Sequence, residues 1–148
     1  MADIVDAATR SRMMSGIRGG NTKPEILVRS ILHRHGFRFR LHVRNLPGKP
    51  DIVLPRYHAV IFVNGCFWHG HDCHLFRMPK TREAFWSEKI GRNQFNDQKN
   101  REALIAANWR VGVVWECAIR GKGKDIDSIA LCLSEWLHSE EETIEVKG

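Results

Sequence analysis

No apolar run in the 148 residues approaches the ~20 that a membrane-spanning helix needs. The opening residues, Met1–Arg10, begin acidic and lack the apolar core of a secretory signal. Neither a secreted nor a membrane-spanning protein is expected, and the cytoplasm is the expected compartment. Internal repeats and low-complexity linkers are also missing, so this length reads as one domain. Cysteine is scarce, at four residues. Without an export signal those thiols do not read as a disulfide framework, and any that cluster read as metal ligands. With 43% apolar and 27% charged residues, the chain has the make-up of an ordinary globular core.

Charge is present and unevenly placed. Residues 1–50 carry ten basic and three acidic side chains, residues 51–100 seven and five, and residues 101–148 six and nine, within a net charge of +6. A basic N-terminal third is the electrostatic footprint of a phosphate-backbone binder, and equally of a solvated basic face.

Residues 1–22, polar, basic and glycine-containing, read as a mobile arm that orders on binding. Thr22–Glu25 is a capping box with Pro24 in the first turn, opening a helix to about His35 that Gly36 ends. Phe37–Val43 alternates with period two and predicts a half-buried strand. Short strands follow at Asp51–Leu54 and Ala59–Val63, the second apolar on both faces and so central. A loop holds residues 64–80, and Thr81 can cap a helix running to about Ala107. Arg110–Trp115 is another buried strand, Asp127 to about Ser139 an amphipathic helix with Cys132 on its core side, and residues 140–148 an acidic frayed tail. The order predicts an α/β fold, a small mixed central sheet flanked by helices.

The chemistry starts in the loop. Cys66, His71 and Cys73 fall within eight residues, and Cys117 follows a later strand. This set suits a tetrahedral Cys3His zinc site, closed by four protein ligands and therefore structural. Zinc binding to small peptides reaches ~10–16 kcal/mol, far more than the few apolar side chains of such a loop can supply. Buried free thiols beside a satisfied histidine are the plainer alternative.

Asp51 opens one strand, Glu25 lies on the preceding helix, and histidines follow the next strand. Converging at one sheet end, they can hold Mg²⁺ and supply a base for water attack on phosphate. Glu25 can equally serve only as a cap residue, and Asp97 can belong to a solvated helix face. Phe67 and Trp68 are adjacent aromatics in the loop, which can insert between bases. Trp86 can join them or sit in the core.

The run Asn64–Cys73 (NGCFWHGHDC), Pro47–Asp51 (PGKPD) and Val114–Cys117 (VWEC) resemble the very short patch repair endonucleases, DNA mismatch enzymes of bacteria. Ala8–Ser11 (ATRS) and Thr81–Trp86 (TREAFW) fit as well, so the resemblance covers residues 7 to 137. It implies a restriction-endonuclease-like core with a structural zinc site, with residues 23–139 the nuclease domain and residues 1–22 a DNA-binding arm. It also implies Mg²⁺-dependent nicking of one strand 5′ to the thymine of a T:G mismatch, the lesion left when 5-methylcytosine deaminates.

Carried over residue by residue, Asp51 and the Val63 carbonyl hold Mg²⁺, Glu25 binds metal waters, His69 is the general base and Asp97 supports it. Cys66, His71, Cys73 and Cys117 match the zinc ligands. Phe67, Trp68 and Trp86 match a wedge beside the mismatch, and Met14 a residue entering from the opposite groove. Lys89 and Asn93 share the helix face of Trp86 and are candidates for base-edge or phosphate contact. Where well-studied members have Thr-His, this chain has Val63-Asn64. Asn64 cannot titrate and is left to hydrogen-bond phosphate or water. The expected substrate is double-stranded DNA, the protein acting as a monomer near the nucleoid. A MutL-type repair protein and a cytosine-5 DNA methyltransferase are the functional associates that the resemblance implies. The alternatives are a non-catalytic zinc-stabilised DNA-binding module and a same-fold nuclease with another DNA target.

Overall fold

The computed structural model describes residues 22–120 and 123–148. The arm expected over residues 1–22, Met14 included, lies outside them but for Thr22. Helix α1 (Lys23–Arg34) precedes strands β1 (Arg40–Leu41), β2 (Ile52–Leu54) and β3 (Ala59–Asn64). The long helix α2 (Glu83–Ala106), β4 (Arg110–Trp115), the four-residue helix α3 (Glu116–Ile119), α4 (Ile126–Leu137) and β5 (Thr143–Val146) follow. The five strands form one sheet in chain order. β1, β2 and β3 are antiparallel neighbours, whereas β3–β4 and β4–β5 pair in parallel through helical crossovers. This is the mixed, helix-flanked sheet of a restriction-endonuclease-like fold.

Strand alternation assigns the two faces. Ile52, Leu54, Ala59, Ile61 and Val114 pack with Val28, Ile31 and Leu32 of α1 and with Ile129, Leu133 and Trp136 of α4. Val53, Val60, Val111, Val113 and Trp115 point the other way, into a second cluster with Leu104 of α2, Cys66 and Cys117. Both faces are covered, so the central strands are apolar throughout rather than alternating with polar residues. Gly112 is the exception for a steric reason: a Cβ there would meet the Trp136 ring at 3.0 Å. Among the described residues, no helix is long and apolar enough to cross a membrane.

Several expectations need correction. The strand predicted over residues 37–43 shrinks to Arg40–Leu41, because His42 adopts a left-handed φ of 56° that ends the extended path. Phe37 is buried ahead of it, edge-on to Tyr57 at 5.4 Å. Thr81 does not cap α2; the helix opens after Arg82 in the left-handed region with no side-chain cap, and that guanidinium lies over Phe85 instead. Cys132 is exposed, because the buried stripe of α4 runs through Ile129, Ala130, Leu133, Trp136 and Leu137.

Residues 140–148 are not a frayed tail. Thr143–Val146 add a fifth strand whose Ile144 and Val146 pack on the core. The acids before that strand are tied down by their backbone. Glu141 O accepts from Arg110 Nε and Trp136 Nε1, both at 3.0 Å, and Glu142 O accepts from Val111 N at 3.0 Å.

Candidate active site and metal centre

β3 and β4 run in parallel with Val63 opposite Val114 and Asn64 opposite Trp115, so both chains leave the sheet at the same edge. The carboxyl ends of parallel strands are where α/β sheets place their ligands. β2 runs the other way, and its start therefore brings Asp51 to that same edge beside Val63. The Val63 N–H donates to Asp51 Oδ2 at 2.7 Å. From α1, Thr22 caps the helix by accepting the Glu25 N–H at 3.3 Å. The Glu25 side chain itself, 2% exposed, turns inward to pair with Arg29 at 3.0 Å and to hydrogen-bond Asp51. Burial first, and then the hydrogen bond with Glu25, pushes the Asp51 carboxyl up to about 8 from an ordinary 3.8. Two carboxyls held together out of water form the oxygen-donor set that suits a hard divalent cation.

His69 lies across the same cleft. Its Nδ1 and Asp97 Oδ2, from the middle of α2, are 2.5 Å apart. A carboxylate only accepts, so Nδ1 carries a proton, and in the neutral imidazole Nε2 then keeps its lone pair, the form a general base requires. Asp97 therefore faces the cleft beside His69 rather than lying on a solvated helix face.

The loop between these residues is held by α2. Asn93 Nδ2 donates to Trp68 O at 2.9 Å, and Gln94 Nε2 donates to His69 O and Gly70 O at 3.2 Å each. Gly70 has φ +61°, and a Cβ there would lie 2.7 Å from Ile90, so only glycine lets the loop approach the helix this closely. Phe67, Trp68 and Trp86 form a three-ring cluster with centroids 5.2–5.8 Å apart. Phe76 flanks it at 6.0 Å, while Trp68 remains 39% exposed. Trp86 thus joins the loop aromatics instead of the sheet core.

Behind the loop, the ligand atoms of Cys66, His71, Cys73 and Cys117 all lie within 4.8 Å of one another, a group that can hold a metal ion. His71 Nδ1 is 3.6 Å from Cys66 Sγ and 3.5 Å from Cys117 Sγ. Its ring stacks on Trp115 at 4.1 Å, and the same indole meets the His69 ring edge-on at 6.2 Å. Burial above all, and then the Cys73 and Cys117 thiols, push the Cys66 thiol up to about 12. Crowded, buried thiols of this kind are relieved by a cation that takes them as thiolates.

The carboxyl pair, Val63, Asn64, His69, Asp97, Lys89 and the aromatic loop all line one cleft of about 830 Å³. The model of the DNA mismatch endonuclease Vsr family matches residues 2–75. The Vsr DNA mismatch endonuclease of Escherichia coli is 45% identical over 141 residues, which is 95% of this chain and 90% of that one. The chain belongs to the Vsr family. The type II nicking enzyme V.XorIIP of Xanthomonas oryzae is 49% identical over 83% of this chain and 90% of its own length. V.NaeI of Lentzea aerocolonigenes, also a type II nicking enzyme, is 41% identical over 74% and 68%.

Within this Vsr-family site, sequence reasoning missed Arg29, Gln94, Glu116 and Arg120. Gln94 is one residue along from Asn93 in a polar helix, with nothing to distinguish it. Glu116 carried the one available signal, its place inside the VWEC run.

Proposed function

We propose that this chain is an endodeoxyribonuclease that nicks one strand 5′ to the thymine of a T:G mismatch, with Mg²⁺ at the carboxyl pair and structural Zn²⁺ at the cysteine cluster. The observation that carries the reading is the convergence of the Asp51–Glu25 pair and the His69–Asp97 pair on a single cleft walled by the aromatic loop.

Both donor sets fit their metals. Sulfur at ~2.3 Å and nitrogen at ~2.0–2.1 Å from a tetrahedral zinc lie ~3.6 Å apart; the Cys–His separations here are 3.5 and 3.6 Å. Four protein donors close that shell, so its work is to tie the loop to the end of β4. Asp51 and the Val63 carbonyl would hold Mg²⁺, with Glu25 reaching it through water. Bound there, it would supply polarisation of the scissile phosphate and charge stabilisation for the leaving oxygen.

His69 Nε2 takes the proton from the attacking water, and Asp97 fixes the imidazole and stabilises its charge once protonated. Asn64, 7% exposed at the end of β3, offers a neutral carboxamide to phosphate or water. Phe67, Trp68 and Trp86 enter beside the mispair, where unstacking costs less than at a Watson–Crick step. Lys89 reaches the DNA from α2, while Asn93 braces the wedge through the Trp68 carbonyl. Met14, in the expected N-terminal arm over residues 1–22, is the candidate for contact from the opposite groove. The substrate links the enzyme to a cytosine-5 DNA methyltransferase, whose product deaminates to this mispair, and to a MutL-type repair protein.

A nicking assay on end-labelled duplexes tests the reading. A Mg²⁺-dependent nick 5′ to the mispaired thymine, absent from the matched C:G duplex and from Asp51→Ala, is the expected outcome. Binding without a nick in any flanking sequence would favour the non-catalytic module.

A further inference from the structure

Glu116 and Arg120 line the same cleft as Asp51 and His69, yet neither has a part in the chemistry above. Glu116 opens α3, between Trp115 and the metal ligand Cys117. Its Oε1 accepts the Cys66 N–H at 3.3 Å, at the point where the metal loop begins. Its Oε2 pairs with Arg120 Nη1 at 3.2 Å, one turn later. A Cβ on Gly65 would lie 4.0 Å from Glu116 Oε1 and 3.6 Å from Trp68 Cδ1, so the carboxylate stands beside the root of the wedge.

The two partners are held very differently. The Glu116 side chain is 22% exposed and fixed by a backbone amide, while that of Arg120 is 67% exposed and bound only to Glu116 among the described residues. An exposed pair four residues apart adds little to stability, least of all on a four-residue helix. A guanidinium fork matches phosphate oxygens at two points and keeps its charge at every accessible pH. Duplex DNA presents a line of phosphates against which one solvated carboxylate competes poorly.

We propose that Arg120 is a backbone-phosphate contact of the cleft, parked on Glu116 in the free protein and passed to the DNA when duplex binds; this rests on the reading of the chain as a DNA-nicking enzyme. Glu116 keeps the Cys66 amide throughout, so the metal loop is undisturbed by the transfer.

The test is a fluorescence-anisotropy titration of the full chain with dye-labelled T:G and C:G duplexes over a series of KCl concentrations, without added Mg²⁺. Arg120→Gln is expected to lower the slope of log Kd against log salt by about 0.9. Its affinity then falls about 3.5-fold less than that of wild type between 50 and 200 mM KCl, and the weakening is equal on the two duplexes. Arg120→Lys restores the charge and the slope. Glu116→Gln retains an oxygen for the Cys66 amide, loses the competing charge, and is expected to bind at least as tightly as wild type. An unchanged slope in Arg120→Gln, or weaker binding by Glu116→Gln, overturns the proposal. A wild-type slope near zero would overturn the DNA-binding reading along with it, and that result is distinct from the other two.

Discussion

The cysteine cluster and the carboxyl pair flank one short stretch of chain, Val63–Cys73, and solve opposite problems. Both hold acids far above their ordinary values, Cys66 at about 12 and Asp51 at about 8, and in both burial is the first cause. The cluster gathers four soft or borderline donors behind the loop, with Cys66 and Cys117 buried. Its shell is complete without solvent. The pair offers two oxygen donors at the floor of an open cleft, with room for water and phosphate. On the proposed function the contrast separates a centre that shapes the loop from one that acts on substrate, because catalysis at a metal needs an open coordination position. The loop is where the two meet, since it carries Cys66, His71 and Cys73 of the cluster and His69, the proposed base at the other.

Five perturbations sharpen that contrast, and the largest effect belongs to the closed centre. Cys66→Ser removes a ligand from a site whose binding energy, ~10–16 kcal/mol in small peptides, rivals the ~5–15 kcal/mol of a whole domain. Its zinc content should fall below one per chain and its cooperative thermal transition should broaden or vanish, as read by circular dichroism. A normal melt in a zinc-free chain would mean that the cluster is not structural.

At the open centre the fold should survive while rate is lost. His69→Ala should slow single-turnover nicking by ~10²–10⁴, and Asp97→Ala, which keeps the base but leaves its ring unoriented, by a smaller factor. Both should keep one zinc per chain. Equal losses in the two variants would make Asp97 more than a support.

Trp68→Ala tests the loop between the centres. Stacking is worth ~1–3 kcal/mol per base, so binding to T:G duplex should weaken by ~5–150-fold, with a much smaller change on C:G duplex. Equal weakening on both duplexes would remove the wedge from mismatch discrimination. The thermal midpoint should barely move, since the indole is already 39% exposed.

The last effect is on pH dependence, with zinc bound and no Mg²⁺ added. The unfolded chain releases the Asp51 proton near 3.8, whereas the folded chain keeps it to about 8. Between those values the folded state binds the extra proton, so this group's contribution to stability falls as pH rises through the window. Urea midpoints measured from pH 5 to 8 should show that fall, and Asp51→Asn should flatten it. A contribution from this group that rises with pH would contradict the buried, protonated carboxyl.

Much of this arrangement was legible because its signals are local. The ligands Cys66, His71 and Cys73 lie within eight residues, and Thr22 with Pro24 marks a helix start that the structure keeps. The strands Ile52–Leu54, Ala59–Asn64 and Arg110–Trp115 followed from apolar runs whose length and flanking turns identify buried strands. What stayed hidden depends on contacts between distant segments. Thr143–Val146 looked like a tail because three acids precede it, yet its backbone pairs with β4. Phe37–Val43 alternates like a strand, but a left-handed His42 cuts it short. Gln94 and Arg120 resemble any polar side chain on a helix until the loop packs beside them. Asn93, a candidate for base-edge or phosphate contact, also donates to the Trp68 carbonyl, a contact its place in a polar helix does not announce.

The central claim is that chemistry runs at the carboxyl pair while the cysteine cluster only shapes the loop. Its most direct test is single-turnover nicking of a T:G duplex against Mg²⁺ concentration, for wild type and Asp51→Asn, on protein whose zinc content has been measured. The account predicts no nick from zinc-loaded wild type without Mg²⁺ and a saturable rise when Mg²⁺ is added. It predicts a rate at least ~10³-fold lower for Asp51→Asn at unchanged zinc content, the several kcal/mol expected of a lost metal ligand. Full-rate nicking by zinc-loaded protein without Mg²⁺, or a wild-type rate from Asp51→Asn, would contradict it.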